Sequence, residues 1–169
     1  NDRKLTGVQM KKYVLTIIIT AAALLAATGA ARGAVIRAAS ASYADVSAAV
    51  TAASPEDTVI VPSGAATWNS SLAITKGIHL IGAGIGNTVI TSAISSGYLI
   101  HYYPSNYDAD YAFRLSGFTF DMNDQSCIRL GRGGKAAPFT RQTKIRIDHN
   151  RFTNAPTPTH QAIWNHSQM

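Results

Sequence analysis

The sequence holds one cysteine in 169 residues, Cys127, so no intramolecular disulfide can staple it. Charge is also scarce: Asp, Glu, Lys and Arg make up 14% of the chain against 46% hydrophobic residues. A formal charge of +6 would ordinarily suggest nucleic acid or an anionic surface as partner. Its placement argues otherwise. Arg3, Lys4, Lys11, Lys12 and Arg32 precede residue 34 with only Asp2 to oppose them, which leaves ten basic and eight acidic residues in the rest. The bulk of the chain is close to neutral, and no nucleic-acid partner is expected. Helical periodicity is missing beyond residue 53, and two-residue hairpin signals are few. A hairpin-built sandwich is therefore disfavoured.

What stands at the start is a tripartite export pattern. Lys11 and Lys12 form a positive segment, Val14 to Ala27 an apolar one, and Ala27-Thr-Gly-Ala-Ala31 supplies the small residues a signal peptidase needs. The apolar run is shorter than the roughly 20 residues that span a bilayer, and Thr16 and Thr20 dilute it. Residues 10–31 are expected to be a helical signal peptide that meets the membrane only during export. Residues 1–9 read as an upstream extension, 32–43 as a linker, and 44–169 as a domain cut short at its C-terminal end. The expected location is secreted, extracellular or at the cell surface, with the periplasm as the alternative.

One helix is predicted, over Tyr43 to Ala53. Val46 and Val50 share a face and Ser42 is placed to cap it. Short apolar segments then follow one another between Gly, Asn, Asp and Pro: Thr58–Val61, Leu72–Thr75, Ile78–Ile81, Thr88–Thr91, Tyr98–Tyr102, Phe113–Leu115, Phe118–Phe120, Cys127–Leu130, Lys144–Ile147 and Ala162–Trp164. Cys127 lies between strand-like apolar residues and is expected to be buried.

An internal repeat decides how these strands are arranged. Ile78-His-Leu-Ile-Gly82, Phe113-Arg-Leu-Ser-Gly117 and Ile145-Arg-Ile-Asp-His149 share one pattern and start 35 and then 32 residues apart. Cys127-Ile-Arg-Leu-Gly131 and Ala162-Ile-Trp-Asn-His166 repeat at 35. Phe118-Thr-Phe120 and Arg151-Phe-Thr153 repeat at 33 by their first residues. Registers that advance together predict about three coils of a parallel β-solenoid. Ile78, Phe113 and Ile145 would stack in its core, as would Leu80, Leu115 and Ile147, with the helix capping the first edge.

These residues resemble the pectate-lyase-like superfamily. Ala44 to Pro62 is similar to its opening, a helix followed by a small–Pro–acid–Asp–Thr–Val–x–Val–Pro stretch. Thr67 to Gly86, with the Lys76-Gly77 turn, and Asp148-His-Asn-Arg-Phe-Thr-Asn154 add to the likeness. The resemblance implies an all-β fold, a right-handed parallel β-helix with an N-terminal capping helix. It implies polysaccharide as the partner, as a lyase or hydrolase whose active site lies largely beyond these residues, with a non-catalytic adhesin, carbohydrate-binding or phage-tail-type solenoid as the alternative. A full-length monomer is expected. The resemblance is specific for fold and unspecific for chemistry.

Candidate chemistry is thin. Gly82-Ala-Gly-Ile-Gly86 is followed by a strand, so it reads as a corner between strands and not as a phosphate loop. Lyases of the resembled superfamily bind calcium, and Asp121, Asp124 and Asp148 are the carboxylates available for Ca2+ here. The 27 residues from Asp121 to Asp148 do not match the period. Arg129, Arg132 and Lys135 are candidate bases in a Gly-rich loop. Asp148 with His149, and His160 with His166, offer acid–base groups. Tyr98, Tyr102, Tyr103, Tyr107 and Tyr111 crowd the segment between two coils, and Tyr102, Tyr103, Tyr107 and Tyr111 are the predicted carbohydrate contacts, their rings able to stack on sugars.

Overall fold

The computed structural model describes residues 33–106, 108–131, 142–155 and 161–165. The predicted signal peptide and the upstream extension lie outside the described residues.

Helix α1 (Tyr43–Ala52) begins where Ser42 is still extended and its hydroxyl accepts from the Asp45 amide at 3.2 Å. Val46, Ala49 and Val50 turn one side of the helix into the core. At the other end Lys76 Nζ donates to Thr51 O at 2.8 Å and to Ala53 O, covering carbonyls that the helix leaves unpaired.

Among the described residues thirteen short strands accompany it: β1 (Val35–Arg37), β2 (Thr58–Ile60), β3 (Gly64–Trp68), β4 (Leu72–Ile74), β5 (His79–Ile81), β6 (Thr88–Ser92), β7 (Tyr98–Tyr102), β8 (Phe113–Ser116), β9 (Thr119–Asp121), β10 (Ser126–Leu130), β11 (Ile145–Asp148), β12 (Arg151–Thr153) and β13 (Ile163–Asn165). They form three wholly parallel sheets. Sheet A has the order β1-β2-β5-β8-β11, sheet B β3-β6-β9-β12, and sheet C β4-β7-β10-β13. From β2 onward the chain visits A, B and C in rotation, four times. Among the described residues, three parallel sheets and one helix are compatible with a β-solenoid.

Side chains stack in register from coil to coil. Val59, Leu80, Leu115 and Ile147 form one inward column of sheet A. Ala66, Ile90, Phe120 and Phe152 form one of sheet B, and Leu72, Ile100, Ile128 and Ile163 one of sheet C. Leu80, Ile90, Ile100 and Leu115 are fully buried, each contributing about 1.5–3 kcal/mol by leaving water. Helix α1 packs on β1, β3 and β4, of which β3 and β4 are the first strands of sheets B and C. There Trp68 Nε1 donates to Ala41 O at 3.0 Å, and Tyr43 meets the Trp68 ring edge-on at 5.8 Å.

Three expectations change. Coils number four, because the first (β2–β4) is short: Thr58 aligns with His79, 21 residues on, whereas His79 aligns with Arg114 and Arg114 with Arg146. Within the segment expected to be a linker, Val35–Arg37 is a strand that pairs with β2. The third repeat is shifted by one: Arg151 aligns with Thr119, and Phe152 with Phe120. A one-residue slip would turn Phe152 outward, whereas the observed register stacks it on Phe120 at 5.7 Å. The glycine-rich stretch after β5 forms the corner into β6.

Candidate functional site

Strand alternation places Ala73, His101, Arg129 and Trp164 in one column on the outer side of sheet C, one strand apart. The columns to either side, Leu72–Ile100–Ile128 and Ile74–Tyr102–Leu130, are buried. His101, Arg129 and Trp164 are each partly exposed. Tyr98, at the start of β7, joins them: the Arg129 guanidinium carbon stands 5.4 Å from its ring centre, and the Trp164 ring meets it edge-on at 6.2 Å. Tyr103, just past β7, lies 4.4 Å from the His101 ring. Two aromatic pairs therefore flank a guanidinium along the coil axis.

The His101 ring is held by Nε2 against Gly131 O at 2.9 Å. A carbonyl only accepts, so Nε2 carries the hydrogen. Burial lowers the His101 pKa, and the positive Arg129 beside it adds to the effect against the opposing pull of the Gly131 carbonyl. The ring is an uncharged stacking surface at neutral pH.

The predicted carbohydrate contacts separate in the structure. Tyr102 is 1% exposed, and its ring stacks on Phe113 at 4.0 Å with 8° between planes. It is a core residue, because residue 102 falls on the inward register with Ile74 and Leu130. Tyr103 joins the outer face. Tyr111, 36% exposed, borders a shallow depression shared with Pro55, Lys76, Pro104 and Asn106. Tyr107 lies outside the described residues.

Nor do the predicted calcium ligands come together. Asp121 closes β9 on sheet B, where Oδ1 accepts from the Asn123 amide at 3.2 Å and from Asn154 Nδ2 at 2.8 Å. Asp124 sits in the following turn with φ 61°. Asp148 is on sheet A. Among the described residues no three His, Cys, Asp or Glu side chains gather closely enough to hold a metal ion.

Asp148 instead centres an ionic cluster. Arg114 Nε and an Arg114 terminal nitrogen donate to its two oxygens at 2.9 and 2.8 Å. Arg146 pairs with Oδ2 at 3.0 Å and His149 Nδ1 with the same oxygen at 2.8 Å. The Arg114 hydrogen bonds, aided by those from His149 and the charge of Arg146, hold the Asp148 carboxyl well below the usual carboxylate range against the effect of burial. Next to it, Asn150 Oδ1 accepts from the Phe118 amide at 3.0 Å while Nδ2 donates to Leu115 O at 2.9 Å, which fixes the turn. Arg132, Lys135, His160 and His166 lie outside the described residues.

Sequence reasoning counted Tyr98 among the crowded tyrosines but did not join it to His101, Arg129 and Trp164. The available signal was the repeat itself, since Arg129 and Trp164 occupy equal positions in Cys127-Ile-Arg129 and Ala162-Ile-Trp164. The fold and this face define a parallel three-sheet coil with an aromatic and basic outer surface on one sheet. Comparison with protein-family models, curated proteins and solved structures finds no match to the chain.

Proposed function

We propose that the chain is part of an exported, right-handed parallel β-helix protein of the pectate-lyase-like kind, and that it holds a polysaccharide on the outer face of sheet C. The observation that carries this reading is the column His101–Arg129–Trp164 with Tyr98 and Tyr103 beside it, half-exposed on a rigid sheet. Aromatic rings offer apolar faces to the apolar faces of sugar rings, and a guanidinium supplies donors to their oxygens. The sheet sets the residues one strand apart, about 4.8 Å, so a glycan would lie along the coil axis. Right-handedness follows the strong preference of connections between parallel strands.

The described part of this face supplies binding groups and no carboxylate that could act as acid or base. Binding, with cleavage residues on further coils or absent altogether, is the form the proposal takes. Its test is titration of the full chain with a panel of soluble neutral and acidic polysaccharides, read by tryptophan fluorescence. Trp68 is buried, so Trp164 is the reporter expected to respond. Binding that weakens about tenfold in Tyr98→Ala, in line with the loss of one stacking contact of about 1.4 kcal/mol, and that calorimetry finds lost in Trp164→Ala, which lacks the reporter, supports the reading. No binding to any member of the panel, or binding indifferent to both substitutions, overturns it.

A further inference from the structure

We infer that the turn between β11 and β12, on the outer side of sheet A, carries a site for a sulfate- or phosphate-ester group built from Arg146 and His149. It lies on a different sheet from the proposed glycan face and does not rest on that reading.

Three nitrogens converge on one oxygen, two by hydrogen bonds and the third, from Arg146, as an ion pair. Asp148 Oδ2 lies 2.8 Å from Arg114, 3.0 Å from Arg146 and 2.8 Å from His149 Nδ1. Arg114 is committed, since it spans both carboxylate oxygens. Arg146 and His149 are not. Their side chains are 65% and 72% exposed, against 16% for Asp148. A guanidinium has five N–H donors, and the Asp148 contact uses one terminal nitrogen of Arg146. A carboxylate oxygen only accepts, so His149 Nδ1 carries a hydrogen, and Nε2 becomes a second donor when the ring holds both protons.

Asp148 draws both side chains to one point, His149 by a hydrogen bond and Arg146 by an ion pair, and the backbone beneath them is fixed. His149 stands at φ 54° with its carbonyl accepting from the Gly117 amide at 3.1 Å, and Asn150 is tied by two hydrogen bonds. Side chains already ordered lose less freedom on binding. The charge balance also suits an anion. Asp148 is one negative charge against the two guanidinium groups it touches, and the aligned residues above Arg146 are Arg114, His79 and Thr58. Lys144 precedes β11 and Arg151 opens β12, both exposed. A tetrahedral oxyanion can meet the planar guanidinium with two oxygens, and a His149 ring carrying a proton on each nitrogen can donate to a third through Nε2.

Inorganic sulfate and inorganic phosphate, titrated separately into the full chain and followed by NMR of backbone and side-chain N–H groups, are the first probes. The expected result is saturable binding at roughly millimolar concentration, with shifts centred on Arg146, His149 and Gly117. Arg146→Gln should weaken it at least tenfold and His149→Ala several-fold. Arg146→Lys should recover only part, because an ammonium lacks the two-pronged geometry. Dextran sulfate and phosphatidylcholine vesicles containing a phosphorylated inositol lipid then separate the sources. Tighter binding of the first assigns the group to a sulfated glycan, and of the second to a phosphate headgroup, provided Arg146→Gln removes it. Absence of saturable shifts with either inorganic ion, or binding unchanged in a folded Arg146→Gln chain, overturns the site.

Discussion

Gly82 and Gly117 meet across successive coils at the corner after sheet A: the Gly82 amide donates to Ser116 O at 2.8 Å, and the Gly84 amide to Gly117 O at 2.9 Å. The approach leaves no room for a side chain. A Cβ at Gly82 would collide with Gly117 O, and one at Gly117 would fall 2.6 Å from Gly82 O. Backbone on both sides prevents relief by a rotamer change. Gly82→Ala is therefore expected to destabilise the fold by about 1–3 kcal/mol, as overpacking of rigid sites does. Gly86→Ala should cost about 1 kcal/mol, since Gly86 has open space around it and only its φ of 80° to strain an alanine. Urea unfolding of the two variants should rank them in that order; equal losses would mean that the close approach is relieved elsewhere.

Adjacent tyrosines separate core from surface. Tyr102→Ala removes a buried ring stacked on Phe113 and is expected to cost about 3–5 kcal/mol. Tyr103→Ala removes a half-exposed ring beside His101 and should leave the unfolding midpoint within about 0.5 kcal/mol of the parent while weakening glycan binding. Thermal melts and the binding titration together check the pair.

Protonation of His101 should destabilise the chain. Its pKa is lower in the fold than in the unfolded chain, principally through burial, so the unfolded state binds the extra proton first. The stabilisation is present above the unfolded value of about 6.5 and is lost as pH falls through that value toward the folded one. Unfolding free energy measured between pH 8 and 5 should fall toward the acid side. In His101→Gln that slope should be shallower; an unchanged slope would assign the effect to another group.

Asp148 behaves with the opposite charge but the same direction in pH. Its pKa is depressed by the Arg114 hydrogen bonds, so its contribution is complete above the unfolded carboxylate value of about 4 and drains away as pH falls below it toward the folded value. Asp148→Asn and Arg114→Gln should each lower the unfolding midpoint at neutral pH. The double variant should lose less than the sum, because the two residues form one inter-coil clamp. Strict additivity in that cycle would show that the pair contributes nothing as a pair.

Cys127 is 1% exposed, and burial pushes its thiol pKa up. Native chain should react with an aromatic disulfide reagent only at the rate of unfolding, and immediately in denaturant. Rapid reaction in native buffer would contradict the burial.

The repeat was readable because coil-to-coil stacking demands apolar residues at fixed positions. Ile78, Phe113 and Ile145, or Leu80, Leu115 and Ile147, announce the period without any knowledge of the turns. Strand β3 was not readable, since Gly64-Ala-Ala-Thr67 carries little β propensity and is held by pairing with β6. The shift at Phe118 to Phe120 arose because either phenylalanine could begin a pattern; Phe118 and Phe120 are both buried. The tyrosine cluster misled for a related reason. Composition says that rings are abundant between Tyr98 and Tyr111, but inward or outward direction depends on a register set by strands a full coil away. The Asp148 cluster was visible only as neighbours in sequence, Asp148 and His149, because its anchor Arg114 lies 34 residues earlier.

Corner length changes from coil to coil more than strand length does. The connection from sheet C back to sheet A occupies residues 75–78, then 103–112, then 131–144, while the columns that it joins stay in register. Heredity can therefore edit these corners as separable cassettes: lengthening, shortening or exchanging one alters what is displayed along a single edge of the molecule and leaves the scaffold's own specification untouched. Replacement of 103–112 by the four residues Thr75-Lys-Gly-Ile78 would be the smallest such edit, with the Arg114–Asp148 clamp as the gauge of whether the next coil has kept its place.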